Sequence, residues 1–412
     1  MTVLHLLALG CVDAPDSASD SQAQPWPEPA LEEVPGVEVH GVCALELDCS
    51  QEIPDEPKVD CTLRVANEAG QVFYDGPAGA EVRGRSSSGF PKKQYGVELR
   101  TPDGADDEVD LLGMGAEADW VLNGAWIDRA LVRNKLAYDV FQAFDPEGYG
   151  PESRACTLDL NGAPWGVYFL VERLKAAPSR VDVQSEQGWV IKLNDQGSFP
   201  LRESVGHGAW KVVSPGAPSA AQLAGVEAWV ADWQDAVLHD PAALFTDHVD
   251  RGSAIDFVIL QELFKNNDGY YLSVHLTRDQ GLARFAPWDL DLTLGQPTYN
   301  DNVVPTGWVA YRPPWVANMA GAPGFSDALA ERWRDLRTGE LADDALLTRV
   351  EGQWATLGPD RIEENFEIWD WDDIDFLGGY LPPVDDFEHE ADNIRAWIPA
   401  RTAWIDDHID GW

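Results

Sequence analysis

Residues 265–291 read Lys265-Asn-Asn-Asp268-Gly-Tyr-Tyr-Leu-Ser-Val-His-Leu-Thr-Arg-Asp-Gln-Gly-Leu-Ala-Arg-Phe-Ala-Pro287-Trp-Asp289-Leu-Asp291. An apolar stretch with a helical period, Ile255 to Phe264, precedes them, and Ser253-Ala-Ile-Asp256 resembles a capping-box start. Tyr271 to Leu276 and Leu282 to Ala286 read as two strands, with a turn at Arg278-Asp-Gln-Gly281. A hairpin brings its two ends together. Asp268, before the first strand, and Asp289, after the second, are therefore expected close in space. A single aspartate here reads most simply as a turn residue or a helix cap. The ordered pair is what points to chemistry.

Working upstream, residues 83–100 hold Arg83, Arg85, Lys92, Lys93 and Arg100 against one acid, Glu98. Glu81 to Arg85 and Gln94 to Leu99 read as strands joined by a Ser/Gly/Pro loop. Local basicity beside such a loop suits an anionic ligand, because backbone N–H groups and cationic side chains both reach phosphate oxygens. The spacing is not that of a P-loop. Asp119-Trp-Val-Leu-Asn reads as a short strand, and residues 128–143 as a helix with Asp128 as N-cap. Residues 156–174 form a clear hairpin around Asn161-Gly162. Trp189-Val-Ile-Lys192-Leu reads as a strand, and 197–218 as a loop. Leu223, Val226, Trp229, Val230, Trp233 and Val237 keep a helical period. The last hundred residues read as acidic helices, the closing one kinked or broken at Pro399. The class is α+β, with a strand-rich N-terminal half and a helix-rich C-terminal half.

The 412 residues include 71 acidic and 29 basic side chains, a formal net charge of −42. That argues against a duplex nucleic acid or an anionic membrane surface as partner, since both are bound through Lys and Arg. The 18 Trp and the 44% hydrophobic content argue for a packed core. Residues 1–11, MTVLHLLALGC, resemble the end of a bacterial lipoprotein signal, although no Lys or Arg precedes the apolar run. Any membrane attachment is expected through a lipid on Cys11. Residues 12–38 read as a disordered acidic and Pro-rich tether. The expected place is the bacterial cell envelope or the exterior. Cys43, Cys49, Cys61 and Cys156 then allow two disulfides, with one local bridge among the first three; the connectivity stays open.

The order helix, loop aspartate, hairpin, second aspartate is that of protein kinases. Four segments in order resemble the spore-coat CotH kinase family: Arg83-Gly-Arg-Ser-Ser with Pro91-Lys-Lys-Gln-Tyr-Gly-Val-Glu-Leu; Asp119-Trp-Val-Leu with Leu131-Val-Arg-Asn134; Asn161-Gly with Trp165-Gly-Val-Tyr-Phe-Leu-Val-Glu172-Arg; and Pro287-Trp-Asp-Leu-Asp291 with Gly295. They span about 81–295, and Arg395 to Ile409 is also similar. The resemblance implies a two-lobed atypical protein-kinase-like fold over 39–412, with an N-lobe about 39–195 and a C-lobe about 219–412. It implies binding of ATP with Mg²⁺ or Mn²⁺ and phosphorylation of Ser or Thr in surface or exported proteins. Asp268 resembles the catalytic aspartate and Asp289 the metal-binding one. Lys92 or Lys93 resembles the nucleotide-side cation, Arg83 and Arg85 line the same pocket, and Lys192 resembles the kinase strand lysine. Glu172 and Arg133 fall on family motifs and are expected as an ion pair holding the lobes.

Ser273 stands five residues after Asp268, where protein kinases place a second metal-ligand Asn. Asn266, Asn267 or Asp291 are the candidates to replace it. If none does, the alternative is a catalytically inactive surface binding or adhesion protein on the same fold. A third reading, Ca²⁺ binding by Asp370-Trp-Asp-Asp-Ile-Asp375, lacks the EF-hand Gly and terminal Glu.

Overall fold

The computed structural model describes residues 41–296, 303–370 and 386–412. The expected signal and tether, and all of the candidate Ca²⁺ run except Asp370, lie outside the described residues.

The first strands are β1 (Cys43–Cys49), β2 (Val59–Ala66), β3 (Val72–Arg83) and β4 (Gln94–Leu99). A two-stranded ribbon, β5 (Val109–Asp110) with β6 (Ala116–Glu117), leads to β7 (Asp119–Asn123) and helix α1 (Arg133–Phe144). The hairpin β8 (Ser153–Leu160) and β9 (Ala163–Glu172) follows, turning at Asn161-Gly162 as predicted. These strands close into a barrel in the order β1-β2-β3-β4-β7-β9-β8, the seam being the parallel pair β1–β8. Cys43–Cys156 crosses that seam and Cys49–Cys61 joins β1 to β2. The local bridge is the one anticipated; the second pairs residues 113 apart in sequence.

Alternation decides what each barrel strand faces. On β7 and β9, Trp120, Leu122, Tyr168 and Leu170 fill the barrel, while Val121, Val167, Phe169 and Val171 enter a second core. The unbroken apolar run Val167 to Val171 is thus buried on both faces, which is why it does not alternate with polar residues.

That second core belongs to a five-stranded sheet and its helices. β10 (Trp189–Asn194), β11 (Phe199–Pro200) and β12 (Ala209–Ser214) precede α2 (Ala220–His239), the short α3 (Pro241–Ala243) and α4 (Arg251–Phe264); the hairpin β13 (Val274–Arg278) and β14 (Arg284–Ala286) completes the sheet, in the order β11-β12-β10-β13-β14. β10 therefore pairs with β12 and β13, not with the barrel. The stretch 197–218, expected as a loop, supplies β11 and β12 instead. Its Gly and Ser residues hid Ala209-Trp-Lys-Val-Val, whose Ala209 and Trp210 are buried. The helices α5 (Pro314–Ala320), α6 (Phe325–Leu336), α7 (Asp343–Leu357), α8 (Pro359–Ile368) and α9 (Phe387–His408) close the chain. Among the described residues no helix is long and apolar enough to cross a membrane.

Three local expectations shift. Helix α1 begins at Arg133, and Asp128 caps it from a distance by accepting from Val132 N (2.8 Å) and Arg133 N (2.7 Å). The cap of α4 is Asp250, which accepts from Ser253 N; the full capping box is at Ser219 and Gln222 of α2. Helix α9 runs unbroken through Pro399. Ile394, Trp397 and Ile398 on one side, and Thr402 and Ile405 on the other, are all buried. Their packing offsets the missing backbone bond.

Candidate active site

The site is built at the ends of the 274–286 hairpin. Helix α4 ends at Lys265, whose φ of +49° turns the chain, and whose ammonium binds Val304 O (2.8 Å) and Thr306 O (2.7 Å). In the loop that follows, Asn266 Oδ1 accepts from Asp268 N at 3.2 Å, and the Tyr271 hydroxyl donates to Asp268 Oδ1 at 2.9 Å. Asn267 is buried beside them. Past the hairpin, Asp289 has a φ of +64°. Its amide donates to the Tyr138 hydroxyl (3.2 Å), and Leu290 N donates to Asn134 Oδ1 (2.6 Å), so α1 holds the turn. Ser273 Oγ donates to Asp289 Oδ2 at 3.0 Å. The two ends of the hairpin thus meet at Ser273 and Asp289. Among the described residues eight non-glycine positions have positive φ, and four of them, Lys265, Ser273, Asp289 and Leu294, lie in this segment. Such backbone strain concentrates at functional sites.

The carboxylates of the site repel one another. Burial, then the charges of Asp289, Asp128 and Asp268, raise the Asp291 carboxyl well above the usual range. Facing them is a pair of cations. Burial and Arg173 lower Arg83, while Asp289 opposes the shift; its guanidinium lies 5.3 Å over the Trp288 ring. Burial, then Arg83 and Lys211, lower Lys192, with Asp289 again opposing. Among the described residues the Lys192 ammonium makes no hydrogen bond or ion pair. His275, the strand partner of Lys192, is pushed down to about 3 by burial and by Lys192. It is a buried, neutral imidazole beside Lys192 on the paired strand.

The other candidate cations are placed elsewhere. Lys92 is 2% exposed and donates to Val167 O (2.6 Å) and Asn365 Oδ1 (2.7 Å). It pins α8 to β9. The fit needs a glycine at 166, where φ is +86° and a Cβ would lie 2.7 Å from Asn365 Oδ1. Lys93 binds Ser88 O at 2.7 Å, and the exposed Arg85 pairs with Asp195. Neither Lys92 nor Lys93 joins the cluster that Arg83 and Lys192 form with Asp289. The expected Glu172–Arg133 ion pair does not form. Glu172 pairs with Arg180 at 2.6 Å, within reach along its own chain; Arg133 pairs with Asp128 (2.7 Å) and Glu390 (2.5 Å). Arg133 also donates to Thr293 O and Leu294 O, just beyond Asp291, and so positions the acidic turn.

Tyr138, Asn134, Ser273 and His275 were not foreseen in these roles. Asn134 lies within the Leu131-Val-Arg-Asn134 motif, and Ser273 stands out in the sequence only as the place of an absent Asn. For Tyr138 and His275 the sequence carries no signal, because each acts through a neighbour that only folding supplies.

Asp289 and Asp291 are the side chains that would hold a divalent cation. The donors are all oxygen, and neighbouring carboxylates crowd Asp291 and raise it, a repulsion that a hard ion such as Mg²⁺ would relieve. Among the described residues no three His, Cys, Asp or Glu side chains gather into a cage. Further ligands would have to come from phosphate oxygens and water, the usual mode for Mg²⁺.

The family described as CotH kinase protein matches residues 80–405, and the chain belongs to that family. The match begins near the end of β3, so β1 and β2, with three of the four disulfide cysteines, precede it. No curated protein matches the chain.

Proposed function

We propose that this chain is a protein Ser/Thr kinase of the CotH type, working on a two-lobed kinase-like frame with the cleft between barrel and helical part. The observation that carries the reading is the pair of cations, Arg83 and Lys192, set against Asp289, which itself acts on Asp291, past the end of a hairpin that Asp268 precedes. Arg83 and Lys192 bind the phosphates of ATP, and Lys192 is suited to this because, among the described residues, it has no ion pair to give up. Asp289 and Asp291 hold Mg²⁺ or Mn²⁺, which supplies charge neutralisation on the phosphates when bound. Asp268 accepts the proton of a substrate Ser or Thr hydroxyl as its oxygen bonds to the γ-phosphorus; the bond to the bridging oxygen breaks and ADP leaves. The Tyr271 hydroxyl keeps the Asp268 carboxylate aimed.

Export is supported by the two disulfides, which persist in oxidising compartments. The substrates are then surface or exported proteins, and a lipid on Cys11 is the proposed anchor. A second reading, an inactive binding protein on the same fold, is favoured by Ser273 at the place of the second metal ligand.

Calorimetry with ATP, in Mg²⁺ and in EDTA, tests the proposal on wild type and Asp289→Ala. Mg²⁺-dependent binding that Asp289→Ala abolishes supports it, and wild-type affinity in the variant removes Asp289 from the site. Binding without phosphate transfer by the wild type supports the second reading.

A further inference from the structure

We infer that His275 is a positioning residue that orients the Asp289 carboxylate through Ser273, an inference resting on the reading of Asp289 as the metal ligand. His275 Nδ1 lies 2.8 Å from the carbonyl oxygen of Ser273. A carbonyl only accepts, so Nδ1 carries the proton and donates. The ring cannot swing away. It is 5% exposed, it meets the Trp288 ring edge-on with centroids 6.0 Å apart, and its strand is paired with β10 on one side and β14 on the other.

Ser273 has a φ of +56°. That left-handed conformation is unfavourable for a residue with a Cβ, so something must hold it. The bond from His275 to the Ser273 carbonyl does so. In this conformation the Ser273 hydroxyl reaches Asp289 and donates to Oδ2 at 3.0 Å. One carboxylate oxygen is thereby fixed, and Oδ1 is left for an ion. Groups that bond to a metal ligand from behind set its orientation and alter metal affinity about 10–100-fold. Position 273 thus serves the metal without ligating it. A serine suits the task because its hydroxyl donates to a carboxylate at short reach.

The test is calorimetric ATP binding in Mg²⁺ and in EDTA, with thermal unfolding of the same samples. The variants are Ser273→Ala, His275→Asn, His275→Gln and the double variant Ser273→Ala/His275→Gln. The amide of Asn occupies the place of Nδ1 and keeps the bond to Ser273; that of Gln occupies the place of Nε2 and loses it. Ser273→Ala and His275→Gln are expected to weaken Mg²⁺-dependent binding about 10–100-fold and to leave binding in EDTA unchanged. His275→Asn is expected to stay near wild type, and the double variant to be no worse than its worse parent, as two links of one chain require. Equal loss in His275→Asn and His275→Gln overturns the inference, as does Ser273→Ala with wild-type Mg²⁺ dependence. If His275→Gln does not fold, Ser273→Ala and His275→Asn decide: Ser273→Ala losing Mg²⁺-dependent binding while His275→Asn keeps it supports the inference, and loss in His275→Asn as well overturns it. A wild type that binds ATP equally in Mg²⁺ and EDTA overturns the reading of Asp289, and this inference with it.

Discussion

The guanidinium of Arg133 and the carboxylate of Glu390 meet at 2.5 Å, with both side chains almost wholly buried. The contact joins the start of α1 to the start of α9, 257 residues apart. The same guanidinium binds Asp128 and the carbonyls of Thr293 and Leu294, so one residue ties two helices to the turn behind Asp291. Removing one partner of a buried pair costs about 3–5 kcal/mol. Arg133→Met is expected to lose stability on that scale in urea unfolding. It is also expected to weaken Mg²⁺-dependent ATP binding in the fraction that remains folded. Wild-type binding by folded Arg133→Met would detach the turn from its support.

Lys92 and Lys192 are expected to respond in opposite ways. Lys92 is buried and hydrogen bonded, and burial lowers it well below the usual lysine range, so Lys92→Met leaves Val167 O and Asn365 Oδ1 without this donor, a loss of roughly 1–3 kcal/mol each. Its ATP affinity should hold. Lys192→Met removes a half-buried cation without an ion-pair partner among the described residues, so stability should hold or rise while ATP affinity falls at least about tenfold. Unfolding and binding measured side by side decide this. ATP affinity lost with Lys92 and kept without Lys192 would reverse the assignment.

Asp268→Asn should bind ATP with Mg²⁺ as the wild type does and transfer phosphate about 10²–10⁴-fold more slowly. The amide is nearly isosteric and still accepts from Tyr271, but it cannot take the substrate proton. Labelled-phosphate incorporation into Ser/Thr-rich proteins reads the rate. Transfer at the wild-type rate would remove Asp268 from that role.

The two disulfides should differ in worth. Cys43–Cys156 closes a loop with a sequence separation of 113, and Cys49–Cys61 one of 12. On chain-entropy reasoning the first contributes nearly 5 kcal/mol and the second about 3 kcal/mol. Cys43→Ala/Cys156→Ala should therefore unfold at lower urea than Cys49→Ala/Cys61→Ala. The reverse order would mean that the barrel seam holds without its bridge.

His275 gives the protein a pH dependence of known sign. An unfolded histidine takes a proton near pH 6.5, whereas the folded one, beside Lys192 and Arg83 and against Trp288, resists until about pH 3. Between those limits the unfolded chain binds the extra proton, so stability falls as pH falls, by about 1.4 kcal/mol per pH unit from this group. Urea unfolding at pH 7.5 and pH 5 should show a shallower fall in His275→Asn than in wild type. Identical falls would mean that the imidazole already titrates in the native state.

Local patterns were legible because local physics makes them. Asn161-Gly162 forms its turn wherever it sits between two strands, and the period of Ile255 to Phe264 forms its helix before any partner arrives. The hairpin between Asp268 and Asp289 follows from the same short-range rules, so the chain by itself determined that its two ends, Ser273 and Asp289, would meet. Tertiary structure alone decided which cations face them. Lys92 and Lys93 are neighbours with like side chains, and Lys92 is drawn inward by Val167 and Asn365, 75 and 273 residues away. Cys43 chose Cys156 only because the barrel closes β1 against β8. Ser273 became a donor to Asp289 only once His275 held its backbone. A side chain's chemistry is written in the sequence, but its partners are set by contacts between distant segments, and the burial those contacts create decides whether a charge braces the fold or waits for a ligand.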